Sequence, residues 1–212
     1  MAPDGFVYLL RSLGTGLIFW VVGSILQNNI FYALGIISAV LALFFGFFFR
    51  DPERESDAGP DDIISPADGH VVAVEDDEHE FFGSKTKRIS IFLSVFDVHI
   101  NRIPISGKIE YLKYSAGSFL AAFKEEASEK NEQTAIGISS NNRKVLFKQI
   151  AGLIARRIVC DLKEDQIVER GSRCGMIKFS SRVDVFVPID TEILVKKRQK
   201  VYGGKTSLGR FK

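Results

Sequence analysis

The 212-residue sequence lacks the residue patterns that mark several common protein classes. Its two cysteines, Cys160 and Cys174, are too few for a disulfide framework, and no Cys-x-x-Cys pair or cysteine–histidine cluster indicates a metal site. Basic residues exceed acidic ones by only 28 to 26, so the basic excess of a nucleic-acid-binding protein is missing. The glycine fingerprints of nicotinamide and phosphate-binding loops are absent, as is the Gly-x-Ser-x-Gly turn of many hydrolases.

Charge is also absent from a long amino-terminal segment, between Arg11 and Arg50. Inside it, Ile30–Phe49 has the length of a helix that crosses a hydrocarbon core about 30 Å thick. Leu13–Leu26 is a shorter apolar stretch. We predict a transmembrane or membrane-embedded helical hairpin over residues 1–49, with both ends cytoplasmic by the positive-inside rule. One span behind an interfacial segment, or a buried hairpin of a soluble domain, are the alternatives.

The remainder of the chain divides into an acidic linker, residues 50–62, and a soluble domain, residues 63–212. Short runs rich in β-branched and aromatic residues predict strands in this domain. One short helix is predicted from about Ser118 to Lys130, where apolar residues recur at helical spacing. The domain is therefore predicted to be mainly β (α+β). The strand runs are His70–Val74, Arg88–Ser94, Val145–Ile150 and Val183–Val187.

A weak internal repeat, Pro-x-x-Gly-x-(Val/Ile), occurs in Ser65–Val71 and in Ile103–Ile109. In each copy the proline favours a turn, the glycine permits an unusual backbone angle, and a β-branched residue starts the next strand. A third glycine-rich step, Gly171–Ile177, resembles the entry turn of lipoyl and biotin carriers. The pattern predicts a lipoyl/biotin-carrier-like β-sandwich built from two similar halves.

Three histidines are candidates for proton transfer. His79 lies in an acidic stretch and is predicted to be a solvated loop residue, whereas His70 follows a turn at the start of a strand. His99 lies in Phe96–Pro104, where polar groups interrupt an apolar region. Its aspartate and arginine neighbours suit a histidine that moves protons, although a structural histidine is the alternative.

Seven runs in this sequence, in order, resemble the proenzymes of the phosphatidylserine decarboxylase family, in particular the short, membrane-associated type. Together they extend from about Phe48 to Gly204, which is most of the soluble domain, and the hydrophobic leader also fits. The runs are Phe48–Pro52, Ser65–Gly69, Phe96–Arg102, Asn131–Glu132, Gln149–Ile158, Arg170–Ile177 and Phe179–Asp184.

The resemblance implies a covalent pyruvoyl group, with no pyridoxal phosphate and no metal. By resemblance Ser181 attacks the carbonyl of Ser180, elimination cuts the chain between them, and Ser181 becomes the pyruvoyl. The products would be a β fragment, residues 1–180, and an α fragment, residues 181–212, which stay together as a heterodimer. His99 is assigned as general base and later proton donor, with Asp68 assisting.

The same resemblance implies decarboxylation of phosphatidylserine to phosphatidylethanolamine at the cytoplasmic side of the cell membrane, without nucleic acid. A homo-oligomer is compatible with it. Arg156 and Arg157 are candidate ligands of the lipid phosphate, because arginine forms forked contacts to phosphate oxygens. The alternative is that they face solvent or pair with an acid.

Two positions depart from the family pattern. Ser180 replaces the usual glycine, which restricts the backbone at the cut site and leaves open whether maturation is slowed or blocked. Arg102 stands where longer relatives have a second histidine. The alternatives are therefore a membrane-anchored decarboxylase-like protein that does not process itself, or a lipoyl-like adaptor module, which would need a lysine at a hairpin tip.

Overall fold

The computed structural model describes residues 1–118, 130–141, 143–152, 158–178 and 181–212. The chain forms two compact units, Met1–Glu53 and Arg54–Lys212. The helix predicted around residues 118–130 lies outside the described residues except for its two ends. The three-part division into hairpin, linker and domain stays a prediction.

The first unit is a pair of helices, α1 (Pro3–Leu26) and α2 (Asn29–Phe48). Proline at the start suits α1, because its missing N–H would have no helical partner there. Gln27 ends α1 in the left-handed conformation, and the Asn28 side chain accepts from the Ile30 N–H at 2.9 Å. The predicted hairpin is present, but its first helix is longer than the apolar stretch from Leu13 to Leu26 suggested.

Both helices are long and apolar enough to cross a membrane. Glycines let them approach closely: a Cβ on Gly16 would lie 3.2 Å from Ser38 Cβ, and one on Gly35 would lie 3.3 Å from Gly16 O. Small residues at helix contacts are typical of membrane pairs. Large side chains such as Leu17 and Leu43 remain 66% and 75% exposed, which favours an apolar surrounding.

The second unit is built from short strands, because β-branched residues dominate its sequence and Gly- or Pro-containing turns separate them. Its strands are β1 (Asp62–Ile64), β2 (Gly69–His79), β3 (Ser84–Leu93), β4 (Ile100–Arg102), β5 (Gly107–Ser115), β6 (Gln133–Ser140), β7 (Arg143–Ala151), β8 (Ile158–Cys160), β9 (Ile167–Val168), β10 (Arg173–Ile177), β11 (Ser181–Pro188), β12 (Glu192–Ile193), β13 (Lys200–Val201) and β14 (Ser207–Arg210).

Among the described residues these strands form one large sheet and two small ones. The large sheet has the order β13-β2-β3-β11-β7-β6-β5-β9, and the small sheets have the orders β1-β14-β12 and β4-β10-β8. The main core includes Ile91, Phe147 and Val183 from the large sheet and Ile177 from a small one. The mainly-β prediction with an amino-terminal helical hairpin is therefore confirmed, whereas the carrier-like sandwich stays a prediction.

The two glycines of the internal repeat occupy matching places. Gly69 and Gly107 are the first residues of β2 and β5. A Cβ on Gly69 would lie 2.2 Å from Phe92 O, and one on Gly107 would lie 2.4 Å from Ser139 O. In both strands the pairing register shifts just after these glycines. Each copy of the repeat therefore brings the backbones of two strands together at a point where a side chain does not fit.

Candidate active site

Ser181 begins β11, one of the two central strands of the large sheet. It pairs with Leu93 on β3 and with Ala151 on β7. Because directly opposed residues point to the same face, Ser181 shares the core face with these two apolar residues. Its side chain is fully buried, and its Oγ has no hydrogen-bond partner among the described residues. Leaving a buried hydroxyl unpaired costs about 1–3 kcal/mol, so such a group calls for a functional explanation.

His99 lies just before β4 and is also fully buried. Its carbonyl oxygen accepts a hydrogen bond from the Ile177 N–H at 3.3 Å. Ile177 ends β10, and the four residues from there to Ser181 span at most about 14 Å. The fold thus joins the backbone of His99 to that of Ile177, four residues before Ser181. Phe179 and Ser180, between Ile177 and Ser181, lie outside the described residues.

The contacts of His99 fix which ring nitrogen carries the proton. Nδ1 lies 2.9 Å from the carbonyl oxygen of Asp97. A carbonyl oxygen only accepts, so Nδ1 carries the hydrogen in the neutral ring and Nε2 is the acceptor nitrogen. This is the tautomer that a general base requires.

The turn before His99 is held by the side chain of Asp97. Its carboxylate accepts from the N–H and hydroxyl of Ser94 at 2.8 and 2.9 Å, and it pairs with Lys200. Burial raises the pKa of Asp97, but the hydrogen bonds from Lys200 and Ser94 lower it more, so the pKa lies below its ordinary value. Asp97 therefore serves as a charged anchor of the turn that presents His99.

Asp68 is buried in the loop before β2, next to β4, but its contacts go elsewhere. Its carboxylate accepts from Arg54 Nη2 and from the Gly203 N–H, each at 2.8 Å. No hydrogen bond joins Asp68 to His99. The same loop contacts β4 through its backbone, because Pro66 O accepts from the Arg102 N–H at 2.9 Å. Any assistance from Asp68 to His99 is thus indirect in this state of the chain.

The sequence analysis did not single out two buried amides, of which one, Gln149, is a diagonal neighbour of Ser181 in the sheet. Gln149 Nε2 donates to Asn101 Oδ1 at 2.8 Å, and both side chains are fully buried. The strand pattern of the sequence could have drawn attention to Gln149. It takes a core-facing position on β7, between Phe147 and Ala151, where alternation predicts an apolar residue.

Arg102, one of the two positions expected to depart from the family pattern, has a structural position. It is 5% exposed, and its Nη1 donates to Gly171 O at 2.9 Å. A Cβ on Gly204 would lie 2.5 Å from Arg102 Cδ, so the two residues are closely packed. Arg102 thus joins β4 to the turn before β10. Arg156 and Arg157, the predicted phosphate ligands, lie outside the described residues.

The opposite face of β11 contains a buried ion pair. Arg182 Nε donates to Asp184 Oδ1 at 2.6 Å, and Arg182 Nη2 donates to Ser90 Oγ at 2.8 Å. Since successive residues of a strand point to opposite faces, this cluster and Ser181 are separated by the sheet. It fixes β11 against β3 directly after the predicted cut site.

His79 is not the solvated loop residue that its acidic neighbours suggested. It ends β2, its ring meets Tyr111 and Phe186 at centroid distances of 5.7 and 5.4 Å, and its Nδ1 accepts from the Phe81 N–H at 3.2 Å. Burial lowers the pKa of His79, with Lys148 adding to the effect. The sequence missed these contacts because they come from strands distant along the chain.

Within the described part of the chain, no group of three or more histidine, cysteine, aspartate or glutamate side chains is placed to hold a metal ion. Cys160 is half-buried and Cys174 buried, both as free thiols. Burial raises the pKa of both thiols, as is expected for cysteines that pack like small apolar residues.

Comparisons with known proteins agree on one family. The family model described as phosphatidylserine decarboxylase matches residues 41–209. The chain is 45% identical over its whole length to a phosphatidylserine decarboxylase proenzyme of Carboxydothermus hydrogenoformans, of which 97% is covered. It is 46% identical to the proenzyme of Syntrophus aciditrophicus, over 84% of each chain. It is 48% identical to that of Chlorobium luteolum, over 84% of this chain and 85% of the relative.

Proposed function

The chain belongs to the phosphatidylserine decarboxylase family, and we propose that it generates its own pyruvoyl group by cutting itself between Ser180 and Ser181. As a member of this family it is a lyase that converts phosphatidylserine to phosphatidylethanolamine. The Ser181 hydroxyl attacks the Ser180 carbonyl carbon, and the acyl group moves from nitrogen to oxygen. Elimination then cuts the chain, and hydrolysis with loss of ammonia leaves the pyruvoyl at residue 181.

The observation that carries this proposal is the Ser181 hydroxyl: fully buried, in a central strand, with no hydrogen-bond partner among the described residues. A structural serine in such a place would be expected to satisfy its hydroxyl. The residues present fit the group, because forming it turns the hydroxymethyl side chain of Ser181 into a methyl group and so removes a donor that has no partner among the described residues. When formed, the pyruvoyl supplies an electron sink for the electrons that loss of CO₂ releases.

His99 is proposed as the base that removes the Ser181 proton and later as the acid that protonates the product. Two observations support this role. The hydrogen bond from Nδ1 to Asp97 O leaves Nε2 as the basic nitrogen, and the bond from Ile177 N–H to His99 O joins the backbone of His99 to a residue four positions before Ser181. Asp68, through its ion pair with Arg54, is proposed to keep the neighbouring loop in place.

The proposal also covers the membrane anchor, the association of the two fragments and the binding of the lipid phosphate. The helices α1 and α2 anchor the protein in the cell membrane, with the second unit on the cytoplasmic side. The β fragment, residues 1–180, and the α fragment, residues 181–212, stay associated, since β11 lies between β3 and β7 of the β fragment. Arg156 and Arg157 are proposed to bind the lipid phosphate.

The finer fold assignment, a duplicated sandwich like those of lipoyl and biotin carriers, belongs to the same proposal. Its support is the matching geometry at Gly69 and Gly107. The two turn tips of the repeat, Ala67–Gly69 and Ile105–Gly107, contain no lysine, which disfavours the adaptor alternative.

Intact mass and denaturing gels of the purified protein test self-cleavage. We expect a 32-residue fragment of about 3.6 kDa, in proportion to the 23.7 kDa of the 212-residue chain, with a ketone at its amino end. Ser181→Ala should abolish the cut and the decarboxylation, because it removes the nucleophile.

Ser180→Ala is the matched control, since it removes the neighbouring hydroxyl and keeps that of Ser181. It should still yield the same fragment. If Ser181→Ala is cut, or if active wild-type protein is one unbroken chain, the pyruvoyl assignment is wrong. If wild-type protein is neither cut nor active, the non-processing alternative is correct.

A further inference from the structure

A second buried atom near Ser181 has an unused hydrogen-bonding capacity. Oε1 of Gln149 has no hydrogen-bond partner among the described residues, although the side chain is fully buried. Gln149 pairs with Val183, and Ala151 pairs with Ser181, so Gln149 and Ser181 are diagonal neighbours on one face of the sheet. Such diagonal positions lie about 7–8 Å apart, within reach of long side chains.

The hydrogen-bond network determines which end of the Gln149 amide is unused. Asn101 Nδ2 donates to Pro66 O at 3.4 Å, and a carbonyl oxygen only accepts, so Asn101 must turn its NH₂ toward Pro66. Asn101 Oδ1 therefore faces Gln149 and accepts a hydrogen bond from Gln149 Nε2 at 2.8 Å. The atom left over is the Gln149 carbonyl oxygen, and its partner must be a donor.

We propose that Gln149 binds the amino group of the lipid substrate, by accepting a hydrogen bond from it at Oε1. This rests on the proposed function, in which the amine approaches the carbon derived from Ser181. Phosphatidylserine brings a donor of the required kind in its amino group, whereas its phosphate and carboxylate only accept. Asn101 holds the Gln149 amide in the orientation that exposes its oxygen.

The neutral amide also suits the chemistry of an attacking amine. A carboxylate at the same place would favour the charged ammonium form, which is not a nucleophile. An amide oxygen orients the amine and still permits its deprotonation. Its hydrogen bond is worth about tenfold or more in affinity for a charged donor.

The test uses mature wild-type protein treated with borohydride, which reduces the ketone to an alcohol and stops turnover. A mass gain of two hydrogens on the small fragment shows that the ketone was present. Binding is then measured by calorimetry in detergent micelles with two lipids, phosphatidylserine and the same lipid with hydrogen in place of its amino group. The wild-type protein should bind phosphatidylserine about tenfold more tightly than the amine-free lipid.

Gln149→Met removes the oxygen and keeps the length of the side chain. It should bring the two dissociation constants together. Gln149→Glu keeps an acceptor and adds a charge, so it should retain or increase the preference for phosphatidylserine. This variant provides the test if Gln149→Met does not fold. Thr191→Val is the matched control, because Thr191 Oγ1 is another buried atom without a partner among the described residues, at a turn beyond β11. It should keep the wild-type preference.

A Gln149→Met protein with the wild-type preference overturns the inference, and so does a Gln149→Glu protein that loses it. Neither result affects the proposed function, which fails separately if the small fragment or its ketone is missing.

Discussion

At the scale of single residues, Ser181 and His99 are polar side chains without any exposed surface. Burial of this kind is unfavourable unless other contacts offset it. For His99 the offset is visible in the bond from Nδ1 to Asp97 O. For Ser181 no such bond exists among the described residues, which supports the proposal that its hydroxyl reacts.

Replacing His99 tests its proposed role in proton transfer. His99→Ala should slow the appearance of the small fragment by about 100-fold or more, since a positioned general base contributes at least that factor. The rate is measured by gel densitometry after synthesis in a cell-free system. His70→Ala is the control, because His70 is exposed at the start of β2. Equal rates for both variants would remove His99 from the mechanism.

At the scale of elements, the strands depend on close backbone contacts that only glycine allows. Gly69, with φ +155°, has Phe92 O at 2.2 Å from the place of a Cβ. The Pro-x-x-Gly pattern indicated this turn, but the neighbouring carbonyl belongs to β3, and its approach follows from sheet register.

Gly69→Ala should therefore destabilise the second unit by about 1–3 kcal/mol, because the backbone must move to admit the methyl group. The loss is measured as a lower free energy of unfolding in urea. Gly59→Ala is the matched control, since a Cβ there meets Asp62 atoms only at 3.8 Å or beyond. Equal stability of the two variants would show that the backbone at the start of β2 accommodates the methyl group without strain.

The carboxylate of Asp62 ties β1 to β14 and makes this junction sensitive to acid. Hydrogen bonds from Arg210 and Ser207, at 2.6 and 3.0 Å, are opposed by burial, and the pKa of Asp62 is held below its ordinary value of 3.8. The unfolded chain thus binds the proton more readily than the folded one. The stabilisation is complete above pH 3.8 and is lost as the pH falls through the lower folded-state pKa.

Asp62→Asn should accordingly lower the midpoint temperature of unfolding at neutral pH. It should also make the further fall of this midpoint at acid pH smaller than in the wild-type protein. Scanning calorimetry from neutral pH down to below pH 3.8 measures both effects. Asp57→Asn, at an exposed position before β1, should keep the wild-type acid profile. An unchanged profile for Asp62→Asn would mean that another carboxylate dominates acid unfolding.

At the scale of the whole molecule, the chain combines two units of different chemistry. Unit Met1–Glu53 exposes large apolar side chains on two helices, whereas unit Arg54–Lys212 buries its apolar residues in a β core. Deleting residues 1–49 should release the protein from vesicles of anionic phospholipid in a flotation assay, because it removes this apolar surface. Persistent binding would instead point to the basic residues between Lys196 and Lys200.

The sequence alone determined the features that depend on local pattern. A run without charge predicts the helical hairpin, β-branched segments predict the strands, and motif order leads to Ser181 and His99. The predictions of the hairpin and of the mainly-β domain are confirmed because hydrophobicity and turn chemistry act over a few neighbouring residues, whereas the roles of Ser181 and His99 stay predictions. The helix α1 extends beyond the apolar stretch Leu13–Leu26, since its first turns are not uniformly apolar.

Which distant groups come into contact depends on the way the strands assemble. Gln149 and Asn101 are 48 residues apart, and the contact of Arg54 with Gly203 spans 149 residues. Such contacts follow from strand order and register, which no local pattern encodes. Burial and hydrogen-bond satisfaction likewise exist only once the strands are in place. They place the Ser181 hydroxyl and the Gln149 oxygen among the few buried side-chain atoms without a hydrogen-bond partner in the described part of the chain.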